Sequence, residues 1–304
     1  MLELLKVFRV SLSGYTLLLD GDILCYRAGF GAEKRIYFDE RNPPSDGGLS
    51  FPSKKEAKLN VPEQYLKWER NTEPLDHALY NCKSLIQTAL QNVTTHFQTD
   101  DLEYITYLSG NDQTPNFRKE LTPDYKANRD EAHRPTHLEE LKNYLIERHA
   151  AQVSQGCEAD DFFGQGCLDA VQNGRVPIIG SIDKDLKQIP GFHLNLVSGE
   201  IQEVTQEQAD IKFWRQMLEG DRADNIEGIP GIGPKKAERY LPQGITNATA
   251  KEKVQSYYEA NYQEAWEEKY NLNCDLLWIW RKVPDHCPFK TSATQVDSSL
   301  PEQI

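Results

Sequence analysis

The sequence predicts an α/β protein built on a largely parallel twisted sheet with helices on both faces, and three observations lead there. Apolar or β-branched runs of strand length lie around residues 15–19, 103–109, 176–183 and 192–198. Segments of helical pattern separate them, and strands alternating with helices give a parallel sheet whose crossovers cover both faces. Three of the runs close in or near aspartate, at the edge where open sheets of this kind bind their ligands.

Taken in order, residues 1–13 place Leu4, Leu5, Phe8 and Leu12 on one side of a short helix, and Gly14 breaks that pattern. The strand YTLLL closes at Asp20, and a helix follows from Asp22, whose carboxylate suits a helix start, through Leu24, Cys25 and Arg27 to Gly29. From 31 to about 74 the composition shifts: Pro43, Pro44, Gly47, Gly48, Pro52 and Pro62 lie among charged residues with little periodicity, which reads as a partly irregular insertion. Residues 75–97 are helical, with Leu79, Leu85, Ile86, Leu90 and Val93 on the core side. A polar segment of mixed charge fills 116–149, a short strand lies at 151–153, and a helix begins close to Glu158. After Gln206 the chain turns helical, carries a glycine-rich hairpin at 228–233, and reaches a Trp-rich helix around 276–280. From Pro284 it is polar and expected to be loose. The expected units are a catalytic α/β domain over 1–206, a helical region over 207–283 and a tail over 284–304.

A hydrophobic fraction of 38% over 304 residues is enough for a core and sets disorder aside. No apolar stretch approaches the roughly 20 residues of a membrane-spanning helix, and Glu3, Lys6 and Arg9 interrupt the start, so a cytosolic protein is expected. The six cysteines are scattered and read as free, mostly buried thiols. A net charge of −13 argues against a nucleic-acid partner unless the acids are gathered on cations that offset them.

The acids are grouped. Asp20, Asp112, Asp183 and Asp185 follow strand ends, Glu158, Asp160 and Asp161 open a helix, and Asp221 lies three residues from Asp224. On a helical turn an i,i+3 pair shares a side, so Glu158 with Asp161, and Asp221 with Asp224, can each face one centre. Any one of these alone is more ordinarily a turn former or a helix cap. Together they would repel one another without cations, and oxygen ligands with no His or Cys pattern point to Mg²⁺ or Mn²⁺. Two such ions about 4 Å apart suit hydrolysis of a phosphodiester.

Residues 228–241, GIPGIGPKKAERYL, have the form of a helix-hairpin-helix. Gly231 and Gly233 let a phosphate approach the backbone, Lys235, Lys236 and Arg239 supply charge, and such an element reads backbone rather than bases. The segment 116–130 mixes Phe117 and Tyr125 with cations, and Lys126 and Arg129 lie three apart, able to share a phosphate or simply to line a solvated helix.

In this order, LLLDGD, FRKELTPDYKANR, CEADD, GSIDKD and GDRADNIEGIPGIGPKKA resemble the 5′-nuclease family. That family includes flap endonucleases, the exonuclease domain of bacterial DNA polymerase I and the bacteriophage 5′-to-3′ exonucleases, and the wording is most like the last. The resemblance covers residues 15–30 and 103–241 and implies a PIN-like α/β core, a helical arch over about 116–149 and a helix-hairpin-helix arm. It implies Asp20, Asp112, Glu158, Asp160, Asp161, Asp183, Asp185, Asp221 and Asp224 as ligands of two Mg²⁺ ions, for which Mn²⁺ can substitute. Lys126 and Arg129 match groups that engage the scissile phosphate, and Tyr26 and Arg27 match contacts to the 5′ nucleotide. Arg118, Tyr125, Gly228, Gly231, Gly233, Lys235 and Lys236 complete the expected DNA contacts, with a K⁺ ion on the hairpin carbonyls. The implied activity is 5′-to-3′ exonuclease and flap endonuclease cleavage of duplex or flapped DNA by a monomer, with RNA in hybrids as a further substrate. A catalytically silent DNA-structure-binding protein and a PIN-type ribonuclease remain alternatives. The insertion at 31–74 matches no motif, and Asp22 adds an acid beside the first ligand.

Overall fold

Leu17, Leu18 and Leu19 are fully buried because their strand, β1 (Tyr15–Asp20), lies in the middle of a sheet covered on both faces. The computed structural model describes residues 13–110, 115–128 and 134–291, so the helix expected at 1–13 lies outside the described residues except for its last position. From the end of β1 the chain enters α1 (Gly21–Gly31), then β2 (Glu33–Asp39), β3 (Ser50–Phe51), α2 (Lys54–Asn60) and β4 (Leu66–Thr72). These are followed by α3 (Leu75–Phe97), β5 (Leu102–Leu108), α4 (Phe117–Leu121), α5 (Leu138–His149), β6 (Gln152–Val153) and α6 (Asp160–Gln172). The last set is β7 (Val176–Ser181), β8 (Gly191–Asn195), β9 (Ile201–Val204), α7 (Gln206–Glu219), β10 (Gly220–Asp221), β11 (Ile226–Glu227), α8 (Pro234–Tyr240), α9 (Asn247–Tyr262) and α10 (Trp266–Leu277).

The main sheet has the order β6-β5-β1-β7-β8-β9 and is parallel except for β9. Leu17 faces Tyr104 on one side and Ile178 on the other, which sets the ends of β1, β5 and β7 at one edge. One sheet face packs Leu17, Leu19 and Ile178 against α1, α3 and α5 through Leu24, Ile86, Val93, Leu141 and Leu145. The other packs Leu18 and Ile179 against Phe163 of α6 and Leu186. A second core joins α7, α9 and α10 around Trp214, Tyr258 and Tyr270.

The mostly parallel sheet flanked by helices agrees with the sequence, and four details differ. The segment 31–74 is ordered rather than irregular: β2, β3 and β4 form a three-stranded antiparallel sheet with its own small core of Phe51, Ala57 and Val61. Helix α5, expected to belong to an arch, instead buries Leu138, Leu141 and Leu145 in the main core. The Trp-rich helix is displaced toward the amino terminus, since α10 ends at Leu277 and Trp278 continues in extended backbone. The chain after Pro284 is held down as far as Thr291. Tyr270 Oη donates to Phe289 O (3.0 Å), Lys290 pairs with Asp275 (2.7 Å) and Asn271 Nδ2 donates to Thr291 Oγ1 (2.8 Å). Among the described residues no helix is long and apolar enough to cross a membrane. All six cysteines are free, and five are buried.

Candidate metal and nucleic-acid site

The sheet's carboxyl edge begins with Asp20, which ends β1 and caps α1 by accepting from Ile23 N (2.9 Å). A side chain in that position is held in one rotamer, and Ser181 Oγ, at the end of the neighbouring β7, donates to its other oxygen (2.6 Å). Burial pushes the Asp20 carboxyl up to about 7; the two hydrogen bonds oppose the shift, while Asp22 and Asp183 add to it. Beyond β7, Asp183 Oδ1 accepts from Asp185 N (2.8 Å), a local turn that brings both acids to the same edge. Loss of hydration also raises Asp183, and the charges of Asp185 and Asp224 raise it further.

Asp160 opens α6 beside this pair. Loss of hydration, then the charges of Asp183, Asp20 and Glu158, hold its carboxyl well above the usual range. Asp221 ends β10 and Asp224 lies on the turn into β11, neither of them on a helix. Asp221 Oδ1 accepts from Ala223 N (2.7 Å), and burial followed by Asp185 and Asp224 pushes its carboxyl up to about 6. Glu158, Asp160, Asp185, Asp221 and Asp224 line one cleft of about 330 Å³ including its open mouth.

Cations stand among these acids. Lys126, in the left-handed conformation (φ 57°), puts its ammonium on Glu158 and within 3.5 Å of Asp224 Oδ2, while its N–H donates to Asp224 O (2.9 Å). Lys212 pairs with Asp185 (2.9 Å). Among the described residues no three carboxylates close into a ready-made cage for an ion. The donor set nonetheless fits one: the acids are all hard oxygen ligands, and Asp20, Asp160, Asp183 and Asp221 are raised first by burial and then by the charge of neighbouring acids, both of which a divalent cation would offset.

Several expected site residues lie elsewhere. Asp161 does not face the cleft with Glu158; it is fully buried, and both its oxygens are taken by the guanidinium of Arg118 (2.6 and 2.8 Å). Arg118, expected on DNA, is correspondingly interior, donating also to Leu276 O (3.0 Å) and Trp278 O (2.8 Å). A buried guanidinium needs such partners, so this pair ties α4 to α6 and to the end of α10. Tyr125, also expected on DNA, is buried, and its hydroxyl donates to Asp224 Oδ2 (2.9 Å). Tyr26 is half-buried against the main core, and Arg27 donates to Leu196 O. Asp22 accepts from Ser109 N (2.9 Å) and stands 3.6 Å from Lys142, at the same edge but paired. Asp112 and Arg129 lie outside the described residues.

In the hairpin, Gly228 is required by packing, since a Cβ there would meet Gly220 N at 2.3 Å and Leu218 O at 2.6 Å. Gly231 (φ 73°) and Gly233 open to free space, and Lys235 and Lys236 are exposed beside them. Lys236 Nζ donates to Gly231 O (2.8 Å). Lys235 also borders a solvent-open groove of about 1010 Å³ lined by Lys187, Lys212 and Arg215. Four residues without a sequence motif hold the acids in place: Ser181 Oγ donates to Asp20, Ser109 N donates to Asp22, and Gln216 and Lys212 of α7 donate to Asp185; a short polar residue beside a strand end is a local signal for the two serines, and α7 carries none.

Residues 76–214 match the family model of the 5′-3′ exonuclease, N-terminal resolvase-like domain. Flap endonuclease Xni of Shewanella sediminis (strain HAW-EB3) is 30% identical over 183 residues, covering 55% of this chain and 71% of that protein. The exodeoxyribonuclease of Enterobacteria phage T3 is 37% identical over 131 residues, covering 41% of this chain and 43% of that protein. DNA polymerase I of Pseudomonas aeruginosa is 30% identical over 144 residues, which span 40% of this chain and 15% of the polymerase. The match thus spans well under two thirds of the last two proteins. Among solved structures, T5 5′-exonuclease with bound divalent metal ions (zinc) shares the fold, with a TM-score of 0.52 at 16% identity over 86% of this chain and 89% of that one. The chain belongs to the family of 5′-3′ exonucleases and flap endonucleases.

Proposed function

We propose that this protein is a divalent-metal-dependent nuclease that hydrolyses phosphodiesters near the 5′ ends of duplex or flapped DNA. The observation that carries the reading is the gathering of Asp20, Glu158, Asp160, Asp183, Asp185, Asp221 and Asp224 at the carboxyl edge of the sheet and the β10–β11 ribbon beside it, with the pKa of four of them raised above the ordinary carboxylate range. Asp20, Glu158, Asp160 and Asp183 would hold one Mg²⁺ and Asp185, Asp221 and Asp224 a second, with Asp112 and Arg129 expected to join the site. Bound there, such ions supply an activated water and neutralise charge on the leaving oxygen.

The chain's own groups do the rest. Lys126, bridging Glu158 and Asp224, keeps an ammonium beside these acids, placed to meet a phosphate that binds there. Asp161 acts at one remove, fixing Arg118 and through it the end of α10 that lines the cleft. Open backbone at Gly231 and Gly233 beside Lys235 and Lys236 suits the backbone of a duplex. A K⁺ ion on the hairpin carbonyls would have to displace Lys236 Nζ from Gly231 O. The catalytically silent alternative leaves the gathered acids without a purpose.

The test is digestion of a 5′-labelled flap and a blunt duplex, with product lengths resolved, in Mg²⁺, Mn²⁺ or chelator. Cleavage from the 5′ side that needs either ion supports the reading. Tight junction binding with no cleavage in both metals contradicts it, and cleavage of RNA alone would move the protein to the ribonuclease class.

A further inference from the structure

The insertion sheet stands on the same side of the molecule as the cleft. Phe97, at the end of α3, stacks on Tyr15 at the start of β1 (4.4 Å between rings), and α3 runs from there past the sheet. Its 23 residues are about 34 Å long, against about 20 Å for the six residues of β1. The amino-terminal end of α3, where β4 leads in, therefore lies beyond the carboxyl edge. Residues 31–74 fall outside the stretch that matches the family model.

Alternation along antiparallel strands puts Glu33, Arg35 and Tyr37 on one face with Thr72, Arg70 and Trp68 directly opposite them. The chain leading into α5 lies on the first two rows of that face. Glu33 accepts from Thr136 N (2.5 Å), Thr72 Oγ1 meets Thr136 Oγ1 (3.1 Å), and Arg70 donates to Arg134 O (2.6 Å). In the next row Tyr37 packs on the small core of the insertion, while Trp68 stays 48% exposed, and the Arg35 guanidinium from the neighbouring row lies over its ring, 4.7 Å from the centre. Among the described residues Arg35 forms no ion pair with a carboxylate, unlike Lys34, Arg41, Lys58, Lys67 and Arg70 around it.

A flat aromatic face beside a cation without a carboxylate partner is the chemistry of a base stacked over its own phosphate. Duplex DNA hides its base faces, so the fitting occupant is a single strand. We infer that the exposed Arg35 and Trp68 pair of the insertion sheet binds single-stranded nucleic acid, guiding the unpaired 5′ arm of a substrate beside the cleft. The inference rests on the proposed action at 5′ ends, but binding can be measured apart from cleavage.

The experiment is fluorescence anisotropy in chelator with labelled oligo-dT and with a labelled blunt duplex, using Trp68→Ala, Trp68→Phe and Arg35→Ala. Trp68→Ala should weaken oligo-dT binding about tenfold, the loss of one stacked base, while Trp68→Phe stays within about twofold. Arg35→Ala should also weaken it, and duplex affinity should hold in all three. No measurable oligo-dT binding by the unsubstituted protein, unchanged affinity in Trp68→Ala and Arg35→Ala, or equal loss on the duplex would each overturn the inference. Since Trp68 is half exposed and outside the main core, the variants should fold, and Arg35→Ala tests the site even if one Trp68 variant does not. Failure of cleavage with intact oligo-dT binding would instead count against the nuclease reading.

Discussion

Ser181 Oγ donates to Asp20 Oδ2 at 2.6 Å across the pairing of β7 with β1, and accepts from Asp183 N at 2.9 Å. One hydroxyl thus orients two acids at the centre of the edge. Removing it in Ser181→Ala leaves Asp20 buried with one hydrogen bond fewer, so its charged form becomes harder to sustain. The Mg²⁺ concentration needed for half-maximal cleavage should rise about tenfold, the scale of losses from groups that orient metal ligands. A titration showing an unchanged metal requirement would remove Ser181 from the site.

The Arg118 and Asp161 pair is almost wholly shielded, with side-chain exposures of 4% and 0%. Asp161→Ala strands a guanidinium in the interior and should cost about 3–5 kcal/mol of stability, measured by denaturant unfolding. A loss under about 1 kcal/mol would show that water or the carbonyls of Leu276 and Trp278 satisfy Arg118 alone.

Two glycines of one hairpin should behave oppositely. Gly228→Ala drives a methyl into the backbone of residues 218–220 and should destabilise the protein by about 1–3 kcal/mol. Gly233→Ala meets nothing within 4 Å and sits in extended backbone (φ −106°), so stability should hold while duplex affinity drops, as read by anisotropy. Unchanged duplex affinity in Gly233→Ala would argue that the hairpin is not the backbone contact.

His193 is buried, donates through Nε2 to Ile189 O (2.8 Å), and is pushed down to about 4 by burial. Above about pH 6.5 both folded and unfolded forms are neutral, and its effect on stability is flat. As pH falls from there toward 4 the unfolded chain takes a proton that the folded one refuses, so stability is lost, by on the order of 3 kcal/mol. The raised carboxyls of Asp20 and Asp221 work in the opposite direction, so the measurement is the difference between the protein and His193→Gln. No divergence of the two unfolding curves below pH 6 would contradict this account.

The main sheet was legible because its strands carry apolar runs that stop at acids: LLL before Asp20 and PIIG before Ser181 and Asp183 are both buried and register-paired in the structure. The insertion was not, because EKRIYFD and LKWERNT bury no residue fully and only lean on a core of Phe51, Ala57 and Val61, leaving a weak alternation. Arg118 and Tyr125, expected to contact DNA, are interior. Their true partners are distant: Asp161 lies 43 residues away, and Asp224 99 residues from Tyr125. Local pattern carries no signal for such pairs. Asp221 and Asp224 were correctly paired by spacing but wrongly placed on a helix, since GDRADN turns between two short strands. The chain after Pro284 is packed by contacts to distant residues, Phe289 on Trp214, Lys290 on Asp275 and Thr291 on Asn271, for which a polar tail carries no local signal.

The central claim is that the gathered carboxylates are the working part of the protein, and Asp183 acts on both groups of them: burial raises it first, the charges of Asp185 and Asp224 add to that, and its own charge raises Asp20 and Asp160. The most direct measurement is the single-turnover cleavage rate of Asp183→Asn on a 5′ flap across a Mg²⁺ titration. The account predicts a loss on the order of 10² or more at all Mg²⁺ concentrations with folding intact. Cleavage by Asp183→Asn at the unsubstituted rate would contradict it.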